Sequence, residues 1–140
     1  MSWTLLIHGG CGAMRPETLA PEHDVEARKA LERALDSGSA ILATGGSALD
    51  AVEAAARLLE DDPAFNAGRG SVLTASGRAE LDAAIMDGSD RRAGAVAGLT
   101  TTRAPVSAAR AVMEHSPHVF LTYAEADGFA RDRGLEQVGN

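Results

Sequence analysis

The residues best suited to chemistry lie in a glycine-rich stretch, EDDPAFNAGRG, at residues 60–70. Gly68 and Gly70 have no Cβ, so a ligand or another backbone segment can approach them closely, or the chain can turn there with positive φ. Asn66 presents a side-chain amide just before them. The stretch predicts either an active-site loop or a tight connection in which the glycines only serve the turn.

A second candidate is the turn HGGCG near the N-terminus, where an apolar run at residues 3–7 predicts a buried strand that ends at Gly9 and Gly10. His8 is either a histidine whose ring is hydrogen-bonded to backbone or a metal ligand. No second ligand stands at a suitable spacing, which disfavours the metal. Cys11 is either a reactive thiol or a packing residue, and small buried cysteines are usually the latter.

Other catalytic patterns are missing from the sequence. There is no G-x-S-x-G motif for a serine hydrolase, and Ser71 has no histidine near it in sequence. The glycine-rich loop lacks the Lys-Ser or Lys-Thr that follows in a phosphate-binding loop. His115 and His118 are separated by Pro117, which breaks the helix that would make them a metal pair.

Two helices are predicted to precede the glycine-rich loop. Apolar spacing predicts the first over residues 21–44, with a buried face of Val25, Leu31, Leu35, Ile41 and Leu42, and Gly45-Gly46 ends it. Ser47 and Asp50 form a capping box for the second, whose buried stripe is predicted to be Leu49, Val52, Ala56 and Leu59. The short connection predicts an antiparallel pair on one side of a sheet.

Strands are predicted to follow the loop. Two short strands flank a turn at Ser76-Gly77, and residues 78–86 alternate, with Asp82, Ala84 and Met86 on one face and Leu81, Ala83 and Ile85 on the other. A carboxylate on that face should be hydrogen-bonded, so Asp82 is predicted to be structural or to tether a loop. Residues 94–100 form a strand of such small side chains that both faces should be covered.

The remaining elements alternate between helix and strand. Pro105 begins a helix with Val106, Ala109 and Met113 on its buried stripe, and a brief strand follows at residues 119–121. Thr122 begins a second capping box, TYAE, of a helix that reaches about Arg133. The closing EQVGN is predicted to have no fold of its own.

Composition limits the classes of function. The chain has 140 residues, 45% of them apolar, and its net charge of −7 with scattered basic residues disfavours a nucleic-acid partner. One cysteine excludes an internal disulfide. The N-terminal apolar run is too short for a signal peptide or a membrane span. We therefore expect a cytoplasmic protein without a membrane partner.

The motifs NAGRGSVLT, ELDAAIMDG and AGAVAGL, with HGGCG before them and MEHSPHVFLT after, occur in an order that resembles the N-terminal (α) subunit of plant-type asparaginases, or isoaspartyl peptidases. These are N-terminal-nucleophile hydrolases. The resemblance covers nearly the whole chain. It implies an α+β fold, part of a four-layer αββα sandwich that a second subunit completes, with residues 1–140 as one domain and a flexible linker after Asn140.

The resemblance also implies an activity and its site residues. A precursor cleaves itself, and the threonine that begins the β subunit attacks asparagine or isoaspartyl dipeptides. In this chain Asn66 would line the active site, and His8, Gly9 and Gly10 would form the loop that bears on precursor cleavage. The family's structural sodium ion, which is no cofactor for the chemistry, would be held by main-chain carbonyls of Leu59, Glu60, Asp62, Phe65, Ala67 and Arg69.

Several alternatives stay open at this point. Without the resemblance, solvation explains the acidic run at residues 60–62 better than a bound ion does. A glycosylasparaginase-like amidase is the nearest rival function, and a non-catalytic binding or scaffold domain is a rival of another class. The resemblance implies an (αβ)2 heterotetramer with the β subunit. The residues that bind the substrate would lie on that second chain.

Overall fold

The computed structural model describes residues 2–10, 17 and 19–140, so Cys11 lies outside the described residues. The chain divides into two compact units, Met1–Gly70 and Ser71–Asn140. The first is helical and the second is built around a small sheet, which together confirm the α+β class. Among the described residues, no helix is both long and apolar enough to cross a bilayer.

The first unit consists mainly of a helical hairpin. Helix α1 spans Pro21–Ala43 and helix α2 spans Ala48–Asp61. Gly45 has a φ of +85° and its N–H donates to the Leu42 carbonyl, while the Gly46 N–H donates to the Ile41 carbonyl. These two bonds close the end of α1 as a Schellman motif, so the predicted stop is confirmed.

The predicted cap of α2 is also confirmed. The Ser47 hydroxyl oxygen accepts a hydrogen bond from the Asp50 N–H at 3.0 Å. The same hydroxyl donates to the Asp50 carboxylate at 2.7 Å. Ser47 therefore satisfies one of the N–H groups that every helix leaves unpaired in its first turn.

The predicted buried faces of both helices were right only in part, because seven of the nine predicted residues are half-buried rather than buried. The buried residues are mostly small ones: Ala27, Ala30, Ala34 and Gly38 on α1, and Ala51, Ala55 and Glu60 on α2. Val25 and Val52 are exposed instead. The reason is close packing, since a Cβ on Gly38 would lie 2.9 Å from the Ala51 carbonyl oxygen. Only alanine and glycine allow the helix backbones to approach so closely.

The predicted strand at residues 3–7 is absent from the structure, where residues 2–10 carry no regular secondary structure. Leu5 and Ile7 are half-buried, and Leu6 is 89% exposed. The side chains of this segment thus alternate between half-buried and exposed, as they would in a strand. A strand needs a neighbour to pair with, and among the described residues no ladder includes this segment.

The second unit contains a three-stranded sheet in the order β1-β2-β3. Strand β1 spans Leu81–Met86, β2 spans Ala93–Leu99 and β3 spans Phe120–Thr122. β1 and β2 pair antiparallel, whereas β2 and β3 pair parallel. The parallel pair requires a crossover, which helix α3 at Pro105–His115 provides.

Helix α3 covers one face of the sheet. The predicted stripe of Val106, Ala109 and Met113 is buried, which confirms it. A Cβ on Gly94 of β2 would collide with the Ala109 carbonyl oxygen. On the opposite face of β1, Asp82, Ala84 and Met86 are exposed in this chain, whereas every residue of β2 is buried or half-buried.

Helix α4 spans Tyr123–Asp132 and packs against β2 and β3. Thr122 occupies the N-cap position, but its side chain makes no capping hydrogen bond, so the second predicted capping box was wrong. Tyr123 adopts a φ of +53°, in the left-handed region that non-glycine residues rarely occupy. This conformation turns the first residue of α4 away from the geometry that a capping box requires.

The C-terminal residues 136–140 are held in place, contrary to the expectation that they lack a fold. The Val138 N–H donates to the Thr101 carbonyl at 2.6 Å, and Thr102 forms an antiparallel bridge with Gln137. The Asn140 amide accepts from the Ala79 N–H at 3.0 Å and donates to the Ala79 carbonyl at 2.6 Å. A side-chain amide thereby imitates the pairing of a neighbouring strand.

Candidate functional site

The glycine-rich loop begins where α2 ends. Asp62 is the C-cap of α2, and its carbonyl oxygen accepts a hydrogen bond from the Phe65 N–H at 3.3 Å. The Ala67 N–H then donates to the Phe65 carbonyl at 2.8 Å, and a 3-10 turn at Gly68–Gly70 follows. These successive short-range bonds fold the loop into a compact bend.

Both loop glycines are needed because main-chain carbonyls lie against them. Gly68 has a φ of +48°, and a Cβ there would collide with the Glu60 carbonyl oxygen. A Cβ on Gly70 would collide with the Phe65 carbonyl oxygen and lie 2.7 Å from that of Pro63. The close approach that the glycines predicted is therefore confirmed, and the approaching groups are carbonyl oxygens of the loop itself.

Phe65 links this loop to the N-terminal turn. It is 4% exposed, and a Cβ on Gly9 would lie 2.9 Å from its ring. The adjacent turn is tight, since the Gly10 N–H donates to His8 Nδ1 at 3.1 Å and Gly10 has a φ of +106°. The two glycine-rich candidates of the sequence are thus neighbours, and the exposed Asn66 follows directly after the residue that joins them.

The acidic run beside the loop is not simply solvated, so that alternative was wrong. Glu60 is only 8% exposed. Asp62 accepts from the Ala64 N–H at 2.9 Å and from Arg33 Nη2 at 2.8 Å. These carboxylates are therefore part of the packing and hydrogen bonding of the loop.

The same loop could hold a cation through main-chain oxygens. Among the described residues, no three His, Cys, Asp or Glu side chains gather as a metal site. The carbonyls of Leu59, Asp62, Phe65 and Ala67 each accept one N–H, at 2.8 to 3.4 Å. A carbonyl oxygen has two lone pairs, so each of the four can accept a second partner. Carbonyl oxygens are the kind of donor that a hard cation such as sodium accepts.

The other candidates lie in the second unit. Asp82 accepts from the Gly98 N–H at 2.8 Å, which confirms that this carboxylate is hydrogen-bonded. The bond spans a bulge, because the pairing register shifts between Leu81 and Ala83. His115 is exposed and lies 3.9 Å from a Glu114 carboxylate oxygen.

Sequence reasoning missed a buried carboxylate at Asp127, which is 6% exposed. It accepts hydrogen bonds from the backbone N–H groups of Thr100, Thr101 and Thr102. It also accepts from the hydroxyls of Thr100 and Thr102, at 3.0 and 2.8 Å. The sequence could have indicated this burial, because Asp127 lies beside Ala126 and Ala130 on the apolar face of α4.

The surroundings of Asp127 set its charge. Burial disfavours the ionised form, but the hydrogen bonds from Thr100, Thr102 and Thr101 together outweigh burial, so the pKa of the Asp127 carboxyl is lowered from its ordinary value. The group is an anion at neutral pH, and it fixes the backbone that follows β2.

A shallow cavity of about 400 Å³ lies next to this carboxylate. Arg78, Glu80, Tyr123 and Arg131 contribute to its lining. The Tyr123 ring packs on Gly98, where a Cβ would lie 2.6 Å from the ring. Sequence reasoning gave no sign of this cavity, because its walls come from separate elements.

Comparison with known proteins gives consistent matches. The family model described as asparaginase matches residues 1–140. The chain is 47% identical to the probable isoaspartyl peptidase/L-asparaginase 2 of Arabidopsis thaliana, over 99% of this chain and 42% of that protein. It is also 47% identical to the isoaspartyl peptidase of Salmonella typhimurium, over 96% of this chain and 43% of that protein.

A mammalian relative gives the same result. The isoaspartyl peptidase/L-asparaginase of Mus musculus is 47% identical over 99% of this chain and 41% of its own length. The chain therefore spans about two fifths of the length of these relatives.

Proposed function

Because this chain belongs to the asparaginase family, we propose that it is the N-terminal part of an enzyme that hydrolyses L-asparagine and isoaspartyl dipeptides. The match over residues 1–140, including the loop that carries Asn66, supports this most strongly. The names of the relatives support the two substrate classes. The cytoplasmic location is part of the same proposal and comes from the sequence.

The proposed nucleophile is a threonine that begins a second chain of the same precursor. Its amine takes the proton of its own hydroxyl, and the oxygen attacks the side-chain amide carbonyl of the substrate. The C–N bond breaks, and ammonia or the amine of the following residue leaves with a proton. Water then hydrolyses the β-aspartyl ester and restores the threonine. The residues that bind the substrate and the hydrogen-bond donors to the oxyanion lie on the second chain.

Asn66 has the active-site role within this chain. Its neighbour Phe65 is buried, and Gly68 and Gly70 hold the loop backbone close to other carbonyls, so the loop that carries Asn66 is fixed on both sides. An amide fixed in this way can orient the nucleophile's surroundings or a water molecule. His8, Gly9 and Gly10 pack beside Phe65, and their role in precursor cleavage is part of the proposal.

A structural sodium ion is a further part of the proposal. Its ligands would be main-chain carbonyls, and the ion would stabilise the loop without entering the reaction. Helix ends leave carbonyl oxygens without intrahelical partners, which is where such an ion is useful. The residues that would hold it are Leu59, Glu60, Asp62, Phe65, Ala67 and Arg69.

The four-layer sandwich and its second subunit belong to the proposal as well. The sheet face that carries Ala84 and Met86 is exposed in this chain, and Met86 is 59% exposed. A second sheet packed on that face would give each sheet one helical and one sheet neighbour. Two such pairs would form an (αβ)2 heterotetramer.

The proposal is tested with the full-length protein and the variant Asn66→Ala. We expect wild type to hydrolyse isoaspartyl dipeptides and asparagine, and not glycosylated asparagine. The variant should lose about 10²-fold in turnover, a typical cost of losing the alignment of an active-site group. Asn140→Ala is the matched control, because it removes the chain's other asparagine and should retain turnover. Wild type without activity on isoaspartyl dipeptides and asparagine would contradict the function, and normal kinetics in Asn66→Ala would contradict the site.

A further inference from the structure

Asp62 holds three parts of the first unit together. Its carbonyl accepts from the Phe65 N–H at 3.3 Å, and its Oδ1 accepts from the Ala64 N–H at 2.9 Å. Its Oδ2 accepts from Arg33 Nη2 at 2.8 Å. Arg33 belongs to α1 and is 29 positions away in sequence, so the contact joins the first helix to the start of the glycine-rich loop.

This ion pair contributes little to overall stability. The Arg33 side chain is 55% exposed and the Asp62 side chain is 20% exposed. An ion pair that faces solvent on one side is typically worth about 0 to 1 kcal/mol. Its effect is instead on geometry, because the guanidinium fixes the direction of a carboxylate whose other oxygen already binds the loop backbone.

We propose that Arg33 is a positioning residue for Asn66, and that it acts through Asp62. The inference rests on the proposed function, in which Asn66 lines the active site. With Arg33 present, Asp62 keeps its bond to Ala64, two residues before Asn66. Without it, the carboxylate is free to rotate towards water, and the segment from Asp62 to Asn66 loses one of its attachments. A displacement of about 1 Å in a positioned group can cost up to about 10²-fold in rate.

The test compares Arg33→Gln with Arg28→Gln in the full-length enzyme. Arg28 is the matched control, because it lies on the same helix and pairs with Asp24 at 2.9 Å without touching the loop. We expect Arg33→Gln to lower kcat about 10-fold with KM within about twofold of wild type, within the range that misplacement allows. Arg28→Gln should match wild type, and both variants should melt within about 2 °C of it, as expected for exposed ion pairs.

A second arm asks whether Arg33 acts through Asn66. In an Asn66→Ala background the loop no longer carries the active amide, so adding Arg33→Gln should cause no further loss of kcat. Asp62→Asn keeps an acceptor for the Ala64 N–H but loses the charge that pairs with Arg33. It should reproduce Arg33→Gln, and the double variant Arg33→Gln/Asp62→Asn should be no worse than either one. Additive losses in either pair would overturn the proposal.

Amide hydrogen exchange separates this inference from the proposed function. Exchange of residues 62–70 should quicken in Arg33→Gln and not in Arg28→Gln, whether or not the protein is active. If wild type hydrolyses none of the amides, the proposed function fails, and the exchange result alone decides whether Arg33 orders the loop. Unchanged exchange, or a loss of protection spread over the whole protein, would overturn the positioning role.

Discussion

At the scale of single residues, two aspartates act as acceptors for backbone N–H groups. Asp62 binds the Ala64 N–H, and Asp127 binds three consecutive N–H groups after β2. A carboxylate can receive several donors at once, and it satisfies groups that would otherwise lose water without gaining a partner. Such residues fix irregular backbone, which neither helix nor strand hydrogen bonding can do.

The contribution of Asp127 to stability predicts how the free energy of unfolding depends on pH. Its pKa is lowered in the folded protein, so its stabilising effect is complete above the unfolded value of about 3.9 and is lost as the pH falls towards the folded value. Asp127→Asn should lower the free energy of unfolding of the full-length protein by about 3 kcal/mol at pH 7, because buried donors lose a charged acceptor. Urea titrations at several pH values measure this, and the difference from wild type should narrow below about pH 4.

Asp90→Asn is the control for this prediction. Asp90 is exposed and pairs with Arg92 at 2.6 Å on the surface, so its loss should have a much smaller effect. A variant of Asp127 that is as stable as wild type at pH 7 would contradict the structural role of its carboxylate.

Residues whose types restrict the backbone could be predicted from the sequence. Gly68 and Gly70 indicated close approach, and the structure has carbonyl oxygens against both. Asp82 was expected to be hydrogen-bonded and is. Asp127 was missed because its partners lie 25 to 27 positions earlier, and no local pattern records a contact over that distance. The role of Asn66 in the active site stays a prediction.

At the scale of elements, helix boundaries were predicted better than helix faces. The starts and stops of α1 and α2 depend on Pro21, Ser47 and the Gly45-Gly46 pair, which act within a few residues. The buried faces depend on what packs against them. An interface of alanines with Gly38 carries a weak apolar signal, so the larger Val25 and Val52 were chosen wrongly.

Replacing a helical glycine by alanine is predicted to have opposite effects on stability in α1 and in α4. Gly38→Ala should destabilise the full-length protein by about 1 to 2 kcal/mol, because the new methyl would press on the Ala51 carbonyl and Leu5, which outweighs the gain in helix propensity. Gly128→Ala in α4 should stabilise by about 0.5 to 1 kcal/mol, since its nearest neighbour is the flexible end of Arg131 at 3.7 Å.

Thermal unfolding of the two variants measures both changes. Both variants replace glycine by alanine within a helix, so helix propensity alone predicts that both would be stabilised. Equal stabilisation of the two would mean that α1 and α2 do not pack as closely as Gly38 indicates.

At the scale of the whole molecule, the chain spans about two fifths of its relatives, at 42% of the Arabidopsis protein and 43% of the Salmonella protein. The α+β class, which the resemblance implied, is confirmed. The four-layer sandwich stays a prediction, because the small side chains at residues 94–100 indicate close packing without identifying what packs there. The single-domain organisation stays a prediction.

The proposed subunit arrangement predicts the composition of the purified protein. Intact-mass measurement of the full-length protein should find two chains, one of them matching this N-terminal part and the other beginning with threonine. N-terminal sequencing of the second chain identifies that residue directly. One uncleaved polypeptide with full activity would contradict the proposed self-cleavage, and the amide hydrolysis itself would then need another nucleophile.

The pairing of the Asn140 amide with Ala79 closes a loop of 61 positions. During synthesis, residue 79 leaves the ribosome long before residue 140 can reach it. The Ser71–Asn140 unit therefore finishes its hydrogen bonding only after its last residue has emerged from the exit tunnel. The emergence of residue 140 sets the earliest time at which this unit can complete its hydrogen bonding.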